Sequence, residues 1–445
     1  MNSTPTRFDD ALPAFVKGLA RHLPPHVIVN GVVVRDMFGR LAFTSASSIS
    51  DRALKRMNKD LEEAVGHYAR PHGAVIVGVS DGKPVSILND PGALKTWVSG
   101  MEIRLVDRRL SGGDWLREAK QAVEGAIADA VPTVVFASMK GGVGRSTALV
   151  VCALDLIRAG RRVLIVDLDI EAPGLGVMLL TDAELPRFGV IDALVERKLG
   201  PLDSDFLRDI VASSALASGA LLVCPALGAR SIANPANVLS KIGRAYGDAE
   251  DADGKRLTLM DQVSELVDGL KRIHGPDVVL VDARAGLHEL TAATILGLGS
   301  EVLLFGLDEA QTWVAYRILL AQLAASSHRI DWSDALTPVQ GKAPADVSKR
   351  ATFKEKWRSL LASMTVRGSP LLSPKESLPG EQYEWDESTG IELELDERPC
   401  VTVLYNESFS AFAPLSPRMD GLDSKVYDAT FGDLFEHVRR VVGLT

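Results

Sequence analysis

The sequence predicts an α/β protein: a doubly wound, mostly parallel sheet preceded by a small α+β domain. Three observations carry this expectation. Five apolar runs, opening at Val134, Val163, Leu221, Val278 and Val302, alternate with helical segments, as buried parallel strands do. A glycine-rich turn joins the first run to a helix start. The second and fourth runs end in aspartates, and right-handed βαβ crossovers bring such strand ends to one edge of the sheet.

Taken in order, Val27 to Val34 and Arg40 to Phe43 read as short strands, Asp51 to Tyr68 as an amphipathic helix, and Ala74 to Val79 and Met101 to Val106 as further strands. These make up a domain at 1–115. Arg108, Arg109 and Asp114, flanking Gly112 and Gly113, read as a linking loop, with a binding turn as the alternative. A helix from Trp115 to Ala130 leads onward, so that 116–130 forms the connector. The main domain occupies 131–445, interrupted at about 331–397 by a segment rich in proline, serine and charge. Its acidic part, Glu381 to Glu397 around Tyr383 and Trp385, suits a partner-docking insertion and a hairpin equally. Arg398 to Asn406 resumes an apolar strand, and the stripe Phe431, Leu434, Phe435, Val438 marks a final amphipathic helix. With only Arg439 and Arg440 facing Asp433 and Glu436, that helix suits packing on the sheet better than membrane binding.

Between the first strand and its helix stands Lys140-Gly141-Gly142-Val143-Gly144-Arg145-Ser146-Thr147. Glycines at these positions let backbone N–H groups converge on a polyphosphate, and the helix presents its positive end to the same anion. Ser146 offers a hydroxyl to Mg²⁺. The usual phosphate loop closes on Gly-Lys-Ser/Thr, whereas here Arg145 stands in place of the lysine and an additional lysine, Lys140, opens the loop. The helix it starts runs to Arg158, with Gly160 as its stop. Val163 to Val166 then leads into Asp167-Leu168-Asp169, for which capping of the turn Glu171 to Gly174 is the alternative to chemistry. The strand ending at Asp282 continues into Ala283-Arg284-Ala285-Gly286. Asp308 and Glu309 read as favouring a helix N-terminus near Thr312.

With Lys140 at its front, the loop resembles the deviant Walker A motif of the MinD/ParA-type P-loop ATPases, which include nitrogenase iron protein and the arsenite-pump ATPase. The resemblance covers about 131–320. It implies that Lys140 reaches the partner's nucleotide in an ATP-sandwich dimer. It implies that Asp169 positions or activates the attacking water, that Asp167 lies nearer Mg²⁺ and the loop serine, that Asp282 holds Mg²⁺ through water, and that Gly286 lets the backbone turn toward the γ-phosphate. The implied catalytic set is Lys140, Asp169 and Asp282. Nucleotide is bound by Lys140, Gly141, Gly142, Val143, Gly144, Arg145, Ser146, Thr147 and Gly286, and metal by Ser146, Asp167 and Asp282. Arg145 departs from the family's second lysine. Its fork keeps the charge but is longer and planar, which bears on hydrolysis more than on binding. Arg284 stands where many relatives have proline, and contact with phosphate or the partner subunit is balanced against a solvated loop. Asn406 is a candidate for adenine, although relatives show Asn-Arg where this chain has Asn406-Glu407.

Composition narrows the function. A chain of 445 residues with 46% hydrophobic content has room for two or three domains. Neither a secretory leader nor an apolar span of membrane length is read. Cys152, Cys224 and Cys400 are isolated in apolar runs, with no Cys-x-x-Cys for an iron–sulfur cluster or zinc. A net charge of −9 disfavours DNA as the main partner. The basic cluster Lys349, Arg350, Lys354, Lys356 and Arg358, with Phe353 and Trp357, suits a solvated face over packed aromatics, with phosphate-backbone docking as the alternative. No Asn-Lys-x-Asp guanine motif follows the switch, and Asn58-Lys59-Asp60 has the wrong spacing and place, so ATP is preferred to GTP. The expectation is therefore a cytoplasmic ATPase with Mg²⁺ as cofactor, slow in turnover, whose nucleotide state controls homodimerisation and engagement of a protein partner. The alternative is a non-hydrolysing nucleotide sensor or scaffold in a multi-protein operon, of the prokaryotic defence type. A bacterial tyrosine-kinase relative is a third reading, opposed by six scattered tyrosines with no C-terminal cluster.

Overall fold

The computed structural model describes residues 6–77, 79–80, 83–84, 86–90, 92–109, 112–116, 131–251, 253–298, 301–326, 336–365, 399–416 and 424–444. The expected helix from Trp115 to Ala130 lies outside these residues, apart from Trp115 and Leu116 in a short 3₁₀ turn, as does the acidic stretch Glu381 to Glu397. Chain contacts separate a unit within 1–116 from a unit that takes the described residues from 131 onward.

The first unit runs α1 (Phe8–Ala20), α2 (Pro25–Asn30), β1 (Val32–Arg35), β2 (Leu41–Ser45), α3 (Asp51–Val65), β3 (Val75–Val77), β4 (Val79–Ser80), β5 (Lys83–Pro84), β6 (Leu94–Val98) and β7 (Met101–Asp107). Its five-stranded sheet has the order β3-β2-β1-β7-β6, and β4 pairs β5 separately. Phe15, Leu19, Phe43, Met57, Leu61 and Ile103 form the centre of its core, so α1 and α3 pack on one face. The expected strand from Val27 is in part a helix: Pro25 at the first helical position supplies a preset φ, and the strand opens only after Gly31. The helix α1 has no counterpart in the sequence reading.

The second unit opens with β8 (Thr133–Ser138), α4 (Arg145–Arg158) and β9 (Val163–Asp167), followed by the short α5 (Leu175–Leu179), α6 (Val190–Glu196), α7 (Ser204–Asp209) and β10 (Ala212–Ser213). Next come β11 (Leu221–Cys224), α8 (Ala229–Ala233), α9 (Val238–Ala245), the hairpin β12 (Ala249–Glu250) and β13 (Arg256–Leu257), and α10 (Leu259–His274). It closes with β14 (Val278–Asp282), α11 (Glu289–Gly297), β15 (Glu301–Gly306), α12 (Ala310–Ser326), β16 (Leu336–Ala343), α13 (Val347–Thr365), β17 (Val401–Leu404) and α14 (Ser424–Val441). The eight-stranded sheet has the order β10-β11-β9-β14-β8-β15-β16-β17 and is parallel except for the edge strand β10. This is the doubly wound α/β architecture expected.

Alternation along β8 shows why the runs read as continuously apolar. Val134 and Phe136 join the core with α4 and α14, and Val135 and Ala137, which point the other way, are equally buried. The stretch 336–365 does not interrupt the pattern as expected: β16 pairs β15 and β17, and α13 packs on β16. Pro338 and Gly341 inside the strand hid it, since both residues argue against a central strand. On α13, Phe353 and Trp357 are buried beneath the basic face. The last helix buries Phe431, Leu434, Phe435 and Val438 against α4 and β17, so its stripe is core packing.

Candidate functional site

Asp167 and Asp282 are neighbours because β9 and β14 are parallel and in register, pairing the two residues directly. The next strand along, β8, delivers the phosphate loop to the same edge. Gly142 and Gly144 adopt φ of +77° and +91°, which side-chain-bearing residues rarely take, and Gly144 caps α4. The helix N-terminus thereby faces a cleft of about 550 Å³, lined by Gly141, Ser146, Thr147 and Asp169 and also by Tyr405, Asn406, Phe409 and Phe431.

Arg145, the first residue of α4, folds over the cleft floor and is nearly buried. Its Nε lies 2.5 Å from Asp282 Oδ1, an ion pair whose N–H is not aimed along a hydrogen bond. Nη2 donates to Asp169 Oδ2 at 3.2 Å, and Nη1 to Ser138 Oγ at 3.2 Å. Ser146 Oγ donates to the second Asp282 oxygen at 2.7 Å. The spacing thus brings Arg145, Ser146, Asp169 and Asp282 together as expected.

Asp167 is fully buried and takes the capping role. Its oxygens accept the backbone N–H groups of Asp169 at 3.1 Å, Leu175 at 3.1 Å and Gly174 at 3.4 Å, so it shapes the loop that carries Asp169. Burial, reinforced by the charge of Asp282, pushes its carboxyl up to about 7. Burial also raises Asp282, against the pull of Arg145. Asp169 and Asp282 share the one guanidinium, and the Ser146 hydroxyl beside the Asp282 carboxylate adds to a set of hard oxygen donors. This donor set fits Mg²⁺ completed by phosphate oxygens. Among the described residues no group of three or more His, Cys, Asp or Glu forms a metal cage of its own.

Lys140 Nζ pairs with Glu309 Oε2 at 2.8 Å. Gly286 turns at φ +93°, and its N–H is given to the Ser138 carbonyl at 2.9 Å. Arg284 is no free loop residue: it pairs with Glu171 and donates to Tyr246 Oη at 3.3 Å, while Tyr246 donates to Glu171 at 2.9 Å. That contact with Arg284 holds the Glu171 carboxyl below its usual range. Asn406 does reach the cleft wall, but its amide is fixed: Nδ2 donates to Thr430 Oγ1 at 3.1 Å and Oδ1 accepts the Ser408 N–H at 3.0 Å.

Residues 130–208 match the family model described as ParA, NUBPL iron-transfer P-loop NTPase. The phosphate-loop segment is thus similar to the ParA-type P-loop NTPases. Among solved structures, a ParA family ATPase from Chlorobium tepidum is similar at 17% identity over 69% of this chain and 100% of its own, with a TM-score of 0.45. The cell division ATPase MinD of Pyrococcus furiosus is similar at 17% identity over 70% and 100%, with a TM-score of 0.43. A variant of McdA from Cyanothece, in complex with ATP, stands at 14% identity over 71% and 97%, with a TM-score of 0.41. Likenesses this distant add nothing to what the sheet order already shows. Among curated proteins no sequence matches the chain.

In this site, sequence reading missed Glu309 as the partner of Lys140, Glu171 and Tyr246 as partners of Arg284, and Thr430 as the anchor of Asn406. The signal for Glu309 was its place just past β15, the strand that lies beside β8 in the sheet. For Tyr246, far from any motif, no local signal existed.

Proposed function

We propose that this chain binds ATP with Mg²⁺, hydrolyses it slowly in the cytoplasm, and uses the bound nucleotide to control its homodimerisation and its engagement of a protein partner. The observation that best supports the reading is the cleft floor, where Arg145, Ser146, Asp169 and Asp282 converge beneath a glycine cradle at a helix N-terminus. Loop N–H groups from Gly141 to Thr147 take the phosphate oxygens. Ser146 and Asp282 would hold Mg²⁺, which would supply neutralisation of phosphate charge. Incoming phosphate draws Arg145 off the carboxylates, and Asp169, so released, orients the attacking water. Asp167 keeps that loop in shape, the turn at Gly286 lets the switch backbone follow the nucleotide, and Lys140 serves the partner's phosphates.

Phosphate release under single turnover, measured beside light scattering in ADP, ATP and a non-hydrolysable analogue, tests the proposal. A folded chain that binds no ATP in the presence of Mg²⁺ sinks it. A second reading, a nucleotide sensor without hydrolysis, is favoured by the grip of Arg145 on both Asp169 and Asp282. Tight binding with no phosphate release over hours selects that reading.

A further inference from the structure

The end of β16 departs from what a strand requires. Its register against β17 shifts between Gln340 and Ala343, and Lys342 within this bulge has φ of +47°. A left-handed conformation is strained for a residue with a side chain, and a bulge there re-aims that side chain. The preceding residue explains why the strand is forced to deviate here. A Cβ on Gly341 would lie 2.3 Å from the Val143 carbonyl oxygen, so the β16 backbone runs directly against the phosphate loop. Immediately beyond that contact, the exposed Lys342 lines the same cleft as Tyr405 and Asn406, and the carbonyl of its neighbour Ala343 accepts the Tyr405 N–H at 2.8 Å. It forms no ion pair among the described residues.

The lining from Tyr405 to Phe409, with Phe431, has the character of a base pocket. Phe409, Phe431 and Tyr405 supply aromatic surface, while the Asn406 amide is held by Thr430 and Ser408 and is not free to swing onto a base edge. Lys342 adds a long, exposed polar side chain to this wall beside Tyr405 and Ser410, and an ammonium is donor-only. N7 is an acceptor on adenine and guanine alike, and O6 is a further acceptor that guanine alone presents.

Resting on the nucleotide-binding reading above, we propose that Lys342 is the base-contacting residue of this cleft and that it admits both purines, so that GTP binds as well as ATP. A lysine facing N7 gives no discrimination against guanine, and its contact with O6 offsets any preference that the rest of the wall has for adenine.

Equilibrium titration of the full chain with ATP, GTP, CTP and the 7-deaza forms of both purine nucleotides, all with Mg²⁺, tests this. Expected are ATP and GTP dissociation constants within tenfold of each other, a 5- to 20-fold weakening of both in Lys342→Ala, and a 7-deaza penalty that is present in the wild type and absent in the variant. Lys342→Asn, which tolerates the left-handed backbone, should match Lys342→Ala in affinity and guards against misfolding as the cause. A preference for ATP over GTP above a hundredfold, or Lys342→Ala binding as tightly as wild type, overturns the proposal while leaving nucleotide binding intact. Failure of the folded wild type to bind any nucleotide overturns both.

Discussion

Lys140 and Glu309, 169 positions apart, form an ion pair of 2.8 Å that ties the front of the phosphate loop to the entry of α12. Both side chains are over a third exposed, so solvent screening limits the pair to at most about 1 kcal/mol. A charge-assisted contact with a partner's phosphate, on the order of 2–5 kcal/mol per site, outweighs it. Lys140→Ala should therefore leave a folded protein that binds ATP but loses its ATP-dependent change in association. Glu309→Gln should shift ATP-dependent association to lower protein concentration by several-fold. Light scattering at matched concentrations in ADP and ATP reads both. An oligomeric state identical in every nucleotide, and unmoved by either substitution, removes the dimer switch from the reading.

Arg145→Lys should retain nucleotide binding and leave hydrolysis unchanged or faster. Lysine restores the compact charge of the usual loop, and its single ammonium is unable to span Asp169, Asp282 and Ser138 as the fork does. Titration and phosphate release under single turnover check this. A clear loss of binding would show a cradle rebuilt around the guanidinium.

The site was legible where chemistry and spacing coincide. The glycines of the loop, Ser146, and the aspartates ending β9 and β14 are local signals, and the parallel sheet converts them into neighbours without further information. What the sequence hid depends on strand order or on backbone irregularity. Glu309 meets Lys140 because β15 adjoins β8, an adjacency no motif encodes. Lys342 reaches the cleft through a bulge in a strand that Pro338 and Gly341 disguise. In the first unit, α1 escaped notice because Asp9, Asp10 and Pro13 break its apolar run, although Phe15 and Leu19 are fully buried.

Asp169→Ala should abolish turnover while leaving the affinity for ATP with Mg²⁺ within several-fold. A water-orienting carboxylate acts on the transition state, whereas loop N–H groups and metal supply ground-state binding. The same substitution frees Nη2 of Arg145. A modest gain in affinity is therefore an acceptable outcome, and turnover equal to wild type at matched folding is not.

The last prediction concerns pH. Asp167 has a folded-state value of about 7 against 3.8 unfolded, so between these limits the native state holds a proton that the unfolded chain has lost. Stability of the nucleotide-free protein therefore falls as pH rises from about 4 through 7, since the slope follows protons bound in the unfolded state minus those bound in the native state. The proton is shared in effect with Asp282, which burial also raises, so the pair titrates as a unit. Asp167→Asn removes the titrating group, and its amide oxygen still accepts from the Asp169 or Leu175 N–H. Thermal midpoints at pH 5, 6, 7 and 8 should decline in the wild type relative to the variant, with the difference concentrated below pH 7. Adding ATP with Mg²⁺ should flatten the wild-type decline, because a bound dication favours the ionised carboxylates. Parallel pH profiles for the two proteins, with and without nucleotide, would show that the buried carboxylates carry no excess proton.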